Sequence, residues 1–73
     1  MSLNTTELWH IINKPMPFGK HSGQALLTLP LGYLCWLERQ GWPSGSIGAE
    51  LALIYELKHN GVAEPLYRLL TRR

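Results

Sequence analysis

The apolar residues of this chain recur at helical spacing in separate segments, with glycine and proline residues between them. The first segment follows Asn4, whose side chain forms a capping-box pattern with Glu7 three residues later. This pattern and the apolar positions that follow predict a short helix over about 5–12, with Leu8, Trp9, Ile11 and Ile12 as its apolar residues. A strand is the alternative for so apolar a run, and either element must stop before Pro15.

Three further helices are predicted over about 30–40, 46–60 and 65–71. Pro30 suits the start of the first, and its wide apolar face consists of Leu31, Tyr33, Leu34, Trp36 and Leu37. Gly41 and Gly61 are typical of left-handed helix stops, and Ser44 or Ser46 is expected to cap the helix between them. Pro65 begins the last helix, whose outward positions are Arg68, Arg72 and Arg73.

The segment over about 15–27 has a different pattern, with two prolines and a glycine-bracketed loop of sequence PFGKHSG. Its layout predicts a β-hairpin with Phe18 as the core anchor and with Gly19 or Gly23 at positive φ. The predicted fold class is therefore α+β. We expect one small domain over 1–73, in which a β-hairpin packs on three or four short helices.

Composition supports a small folded domain and argues against most enzyme classes. The chain has 73 residues, 45% of them apolar, and no apolar run near the roughly 20 residues needed to span a bilayer. Its beginning has neither a basic nor an apolar signal-peptide region, and Cys35 is its one cysteine. We expect a cytoplasmic protein without a membrane partner, and an inert, buried thiol at Cys35.

The acidic residues are five Glu with no Asp, too scattered for a two-metal centre. A Ser–His–Asp triad is excluded, although one with Glu stays open. Cys35 and the three histidines do not have metal-site spacing. We therefore expect no enzyme activity, no metal and no cofactor.

The PFGKHSG loop carries the candidate binding residues. It lacks the order of glycine, lysine and hydroxyl residues found in nucleotide-binding P-loops. Lys20 and His21 at its tip, with Lys14 near its base and no acid close by in sequence, are candidates for weak contact with a nucleic-acid backbone, aided by stacking on Trp. The alternative is a protein-interaction module or homodimer that uses exposed aromatic side chains. It is motivated by the expectation that Trp9, Trp36 and Trp42 cannot all be interior in so small a domain.

Several motifs together resemble those of a small bacterial family of unknown function, the putative quorum-sensing-regulated virulence factors. They are MPFGKHSG from Met16, LPxxYLxWL from Leu29, GWPxG from Gly41, and Gly48, Leu53, Glu56, Lys58, Asn60 and Gly61. The likeness covers about 14–70, and the first half is also similar to a domain appended to some proofreading-type exonucleases. The resemblance implies a stand-alone α+β domain with an association with nucleic acid. The chain departs from the family at Ser22 and Gln24, where lysine is common, and at Leu31, where an acid is usual.

Overall fold

The computed structural model describes residues 4–70, and its regular elements within that range are helices. In chain order they are α1 (Thr5–Asn13), a first 3₁₀ helix (Leu26–Thr28), α2 (Leu31–Gln40), α3 (Ser46–His59) and a second 3₁₀ helix (Glu64–Leu69). No strand is present between residues 4 and 70, where the only β pairing is one isolated antiparallel bridge between Pro15 and Ala25. The predicted α+β class is therefore wrong.

The expected hairpin over 15–27 is a loop closed by a few hydrogen bonds. Three backbone bonds cross it: Met16 N–H to the Gln24 carbonyl at 2.8 Å, Gly23 N–H to the Met16 carbonyl at 2.8 Å, and Leu26 N–H to the Lys14 carbonyl at 3.0 Å. Pro15 and Pro17 have no N–H to donate, so the pairing cannot extend into a ladder. After Ala25 the chain turns at once into the first 3₁₀ helix.

The hydrophobic core lies where the three α-helices meet the first 3₁₀ helix. Its buried side chains are Ile12, Met16, Leu26, Leu27, Leu29, Leu34, Leu37, Leu51, Ile54 and Ala63. The loop contributes Met16, which is 1% exposed, whereas Phe18 is 41% exposed. The expectation that Phe18 anchors this segment in the core is wrong. Met16 holds the core position, and the chain already bends at Phe18 and Gly19, so the extended geometry that would put Phe18 on the same face as Met16 is not kept.

Local hydrogen bonds form the start of α1 and the end of α3. The predicted capping box of α1 is present, with Glu7 N–H donating to Asn4 Oδ1 at 2.8 Å and Asn4 N–H donating to Glu7 Oε1 at 3.2 Å. Helix α3 ends in the predicted glycine stop, where Val62 N–H reaches the Leu57 carbonyl at 3.0 Å. Its start differs from the prediction: Gly45, at φ 87°, precedes the helix, and no serine side chain caps it.

The last element, predicted as a short helix over about 65–71, is a 3₁₀ helix over Glu64–Leu69. Residue 71, Arg72 and Arg73 lie outside the described range. None of the side chains of this 3₁₀ helix is fully buried. Lys58 of α3 ties it to the domain, because its ammonium group donates to the Leu27 carbonyl at 2.6 Å and to the Tyr67 hydroxyl at 3.1 Å.

Candidate functional site

An open groove of about 940 Å³ lies between the PFGKHSG loop and the outer face of α2. We call it the aromatic groove, and its lining consists of Phe18, Gly19, Lys20, His21, Pro30, Gly32, Tyr33, Trp36 and Leu37. Two of the three candidate binding residues, Lys20 and His21, are in this lining, and Lys14 is not. The loop and a helix that the sequence analysis treated separately thus form one concave surface.

Two nearly parallel aromatic rings form one wall of the groove. Tyr33 and Trp36 lie three residues apart on α2, so they share one face of the helix. Their ring centroids are 6.2 Å apart and their planes differ by 18°. Trp36 is 55% exposed, which makes it the most exposed large apolar side chain among residues 4–70. The expectation that the three tryptophans cannot all be interior is confirmed, since Trp9 is exposed as well.

The loop opposite this wall is held by its own hydrogen bonds and by α2. Gly19 and Gly23 have φ values of 80° and 88°, the left-handed conformation expected of at least one of them. His21 shares a 2.6 Å hydrogen bond with Gln24 through Nδ1, and its ring packs edge-on against Tyr33 with centroids 4.6 Å apart. Lys20 is therefore presented on a fixed turn at the edge of the aromatic groove.

Lys14 lies at a different place and has an acidic partner. Its ammonium group is 2.7 Å from Oε1 of Glu50 on α3, and the two side chains are 38% and 21% exposed. Lys14 and Glu50 line a second, smaller cavity of about 560 Å³ together with Trp9, His10, Asn13, Pro15 and Ala25. No acid is close to Lys14 in sequence, but the fold brings Glu50 to it from 36 residues away.

We expect Lys14→Ala to lower the free energy of unfolding by less than about 1 kcal/mol, because partly exposed ion pairs contribute little. The measurement is urea denaturation of Lys14→Ala, Glu50→Ala and the double variant, which isolates the coupling between the two side chains. A coupling free energy of several kcal/mol would contradict this prediction and show that the ion pair between Lys14 and Glu50 contributes strongly to the stability of the fold.

The described residues include no cluster of side chains with the arrangement of a metal site. Between residues 4 and 70, no group of three or more His, Cys, Asp or Glu side chains is arranged to hold a metal ion. Cys35 is half-buried rather than buried as expected, and it lies beside Tyr55 of α3. Burial raises the pKa of Tyr55 above its ordinary value of 10.0, and the Cys35 thiol raises it further. No helix in this part of the chain is long and apolar enough to cross a membrane.

The predicted apolar face of α2 includes three residues of the groove, Tyr33, Trp36 and Leu37. Leu34 and Leu37 do face the core, whereas Trp36 and Gly32 are exposed. The width of the apolar face was the signal in the sequence that part of this face is exposed, because five of the seven residues from Leu31 to Leu37 are large and apolar. A stripe packed on one neighbour needs only about three or four apolar positions in two turns.

Comparisons with known proteins confirm the resemblance to the family of putative quorum-sensing-regulated virulence factors. Residues 4–69 match the family described as "Putative quorum-sensing-regulated virulence factor". The chain is 37% identical over 68 residues to the uncharacterized protein YpeB of Escherichia coli strain K12, covering 88% of this chain and 94% of that protein. YpeB of Escherichia coli O157:H7 matches equally well. No solved structure matches, and the second resemblance, to a domain of proofreading-type exonucleases, is not shown.

Proposed function

Because the chain belongs to the family of putative quorum-sensing-regulated virulence factors, whose description states a mode of regulation and no chemistry, we propose a function from the groove itself. The protein is a non-enzymatic interaction module that binds a peptide segment of a partner protein in the aromatic groove. This is the protein-interaction alternative to nucleic-acid binding, and it is supported by the exposed aromatic side chains of the groove and by the single Lys among its lining residues.

The observation that carries the proposal is the exposure of Trp36 and Phe18 in one concave surface. Trp36 is 55% exposed and Phe18 is 41% exposed, although a small domain would gain stability by burying such rings in its core. Tryptophan and other aromatic residues are enriched at the energetic centres of protein interfaces. A concave, mostly apolar lining with a few polar groups is also the usual composition of ligand sites.

The distribution of charge favours a peptide over a nucleic acid. Lys20 is the one Lys or Arg in the lining of the groove, since Lys14 is paired with Glu50 on another surface. Arg72 and Arg73 account for the whole formal net charge of +2, because the other five cations are balanced by five Glu. Nucleic-acid affinity depends on several phosphate contacts, and one cation supplies few of them.

The test is selection from a random peptide library displayed on phage, with removal of phage that also bind Gly32→Leu. Gly32 lies in the groove, and a Cβ there would have no atom within 4 Å, so the variant fills open space. The replacement also improves helix propensity by about 1 kcal/mol, so the variant is expected to fold.

We expect selected peptides that bind the wild-type chain and lose affinity with Gly32→Leu and Trp36→Ala. Trp9→Ala is the matched control, since Trp9 is also exposed but lines the other cavity. Failure to enrich any peptide, or equal loss with Trp9→Ala, would contradict the proposal.

A second candidate, weak binding of single-stranded nucleic acid, is favoured by one arrangement: Lys20 lies in the same lining as Phe18 and Trp36. Bases stack on exposed aromatic rings while cations hold the backbone. Titration with oligothymidylate, followed by tryptophan fluorescence, tests it. Quenching that disappears with Trp36→Ala and weakens steeply with salt would favour this candidate over the peptide.

A further inference from the structure

We infer that the peptide taken by the aromatic groove is an extended, proline-containing segment with an acidic residue beside the prolines. This inference rests on the proposed function, that the groove binds a peptide. It adds the class of ligand, which is supported by the shape, the hydrogen-bonding groups and the charge of the lining.

The shape of the groove suits a flat, rigid apolar ring. The Tyr33 and Trp36 rings on α2 are stacked, with planes that differ by 18°, and both line the groove. Gly32 adds no side chain to this surface, and the space above its Cα is open. Pro30 lies at the start of the same helix and extends the apolar lining. Aromatic-lined grooves of this kind receive polyproline II segments, whose conformation is already extended before binding.

The hydrogen-bonding groups of the lining complement a proline segment. Within residues 4–70, no intramolecular hydrogen bond occupies the Tyr33 hydroxyl, the Trp36 indole N–H or the Lys20 ammonium. Indole and ammonium groups are donors only, and the tyrosine hydroxyl can also donate. Polyproline II carbonyls have no internal partner and can accept these bonds. Proline itself has no N–H, so it enters an apolar groove without leaving a buried donor unsatisfied.

The positive charge of Lys20 favours an acidic residue beside the prolines of the ligand. Lys20 has no ion pair among the described residues, and the lining of the groove contains no Glu. A ligand with a carboxylate near the loop therefore gains a favourable interaction, whereas one with a lysine there meets a like charge. Complementarity at such a rim position acts mainly on specificity and on the rate of association.

The experiment is a titration of the full chain with a synthetic peptide that has a short oligoproline core flanked by glutamates. Binding is followed by tryptophan fluorescence. Three probes serve as comparisons: the same core flanked by lysines, a peptide with alanines in place of the prolines, and oligothymidylate.

We expect the glutamate-flanked proline peptide to bind most tightly. Trp36→Ala is expected to weaken it about tenfold or more, as for a central interface tryptophan. Lys20→Ala should weaken it about threefold, a rim-charge effect, and should remove the preference for glutamate over lysine flanks. The matched control is Arg68→Ala, which removes an exposed cation outside the groove and should leave the affinity unchanged.

Two results separate the inference from the proposed function. If library peptides depend on Trp36 but lack proline, and the alanine peptide binds as well as the proline peptide, the ligand class is wrong and the peptide-binding function remains. If oligothymidylate binds at Trp36 and no peptide does, both are overturned.

Discussion

Gly48→Ala is expected to lower the free energy of unfolding by about 3 kcal/mol or more, although it adds a single methyl group. Gly48 is buried in the first turn of α3, against the segment that leads from α2 into that helix. A Cβ at this position would lie 1.8 Å from the carbonyl oxygen of Pro43 and 2.9 Å from its carbonyl carbon. These are backbone atoms, so no side-chain rotation can relieve the overlap and the connection between the helices must move.

Gly32→Ala is the matched control, because it makes the same change inside α2 where a Cβ would have no atom within 4 Å. It should raise the free energy of unfolding by up to about 1 kcal/mol through helix propensity alone. Urea denaturation of the two variants measures the difference directly. Equal stability of Gly48→Ala and the wild-type chain would show that α3 does not pack on Pro43 as described.

Met16→Ala is expected to cost about 2–5 kcal/mol, the range for truncating a buried methionine. Met16 is 1% exposed and is the one side chain by which the segment from Pro15 to Gly23 enters the core. Its loss leaves a cavity and also loosens the loop that forms one side of the aromatic groove. Met16→Leu, which keeps the volume, should cost less than about 1.5 kcal/mol.

The control is Phe18→Ala, two residues along the chain. Phe18 is the larger side chain but is 41% exposed, so its removal should change the free energy of unfolding by no more than about 1 kcal/mol. Thermal or urea unfolding of the two variants checks the order. A larger loss for Phe18→Ala than for Met16→Ala would mean that the loop is anchored by the aromatic side chain instead.

The local patterns of this chain predicted its helices well and its loop poorly. The capping box at Asn4 and Glu7 and the glycine stop at Gly61 depend on neighbouring residues, so sequence spacing was enough to find them. The prediction of a hairpin was wrong because Pro15 and Pro17 have no N–H to donate, although the order of prolines, glycines and apolar residues resembles that of a hairpin. Those prolines allow one bridge and three cross-loop hydrogen bonds but no ladder.

Only part of the candidate site could be predicted from the sequence, because the rest depends on contacts between distant segments. Lys20 and His21 stand out in sequence because glycines bracket them, whereas Trp36 lies on the wide apolar face of a helix, where spacing does not show which ring is exposed. The partner of Lys14 is 36 residues away, and no local rule connects it to Glu50. Both features depend on how α2 and α3 pack against the loop, which is a tertiary property.

The most direct test of the central claim, that the aromatic groove is the binding surface, uses the three indole N–H signals of the chain in a nitrogen-15 NMR titration. Single Trp→Phe variants assign them to Trp9, Trp36 and Trp42. On addition of the glutamate-flanked proline peptide, we expect the Trp36 signal to shift in a saturable way while the Trp9 and Trp42 signals stay in place. A saturable shift at Trp9 with none at Trp36 would place the binding surface at the Lys14 cavity and contradict the account.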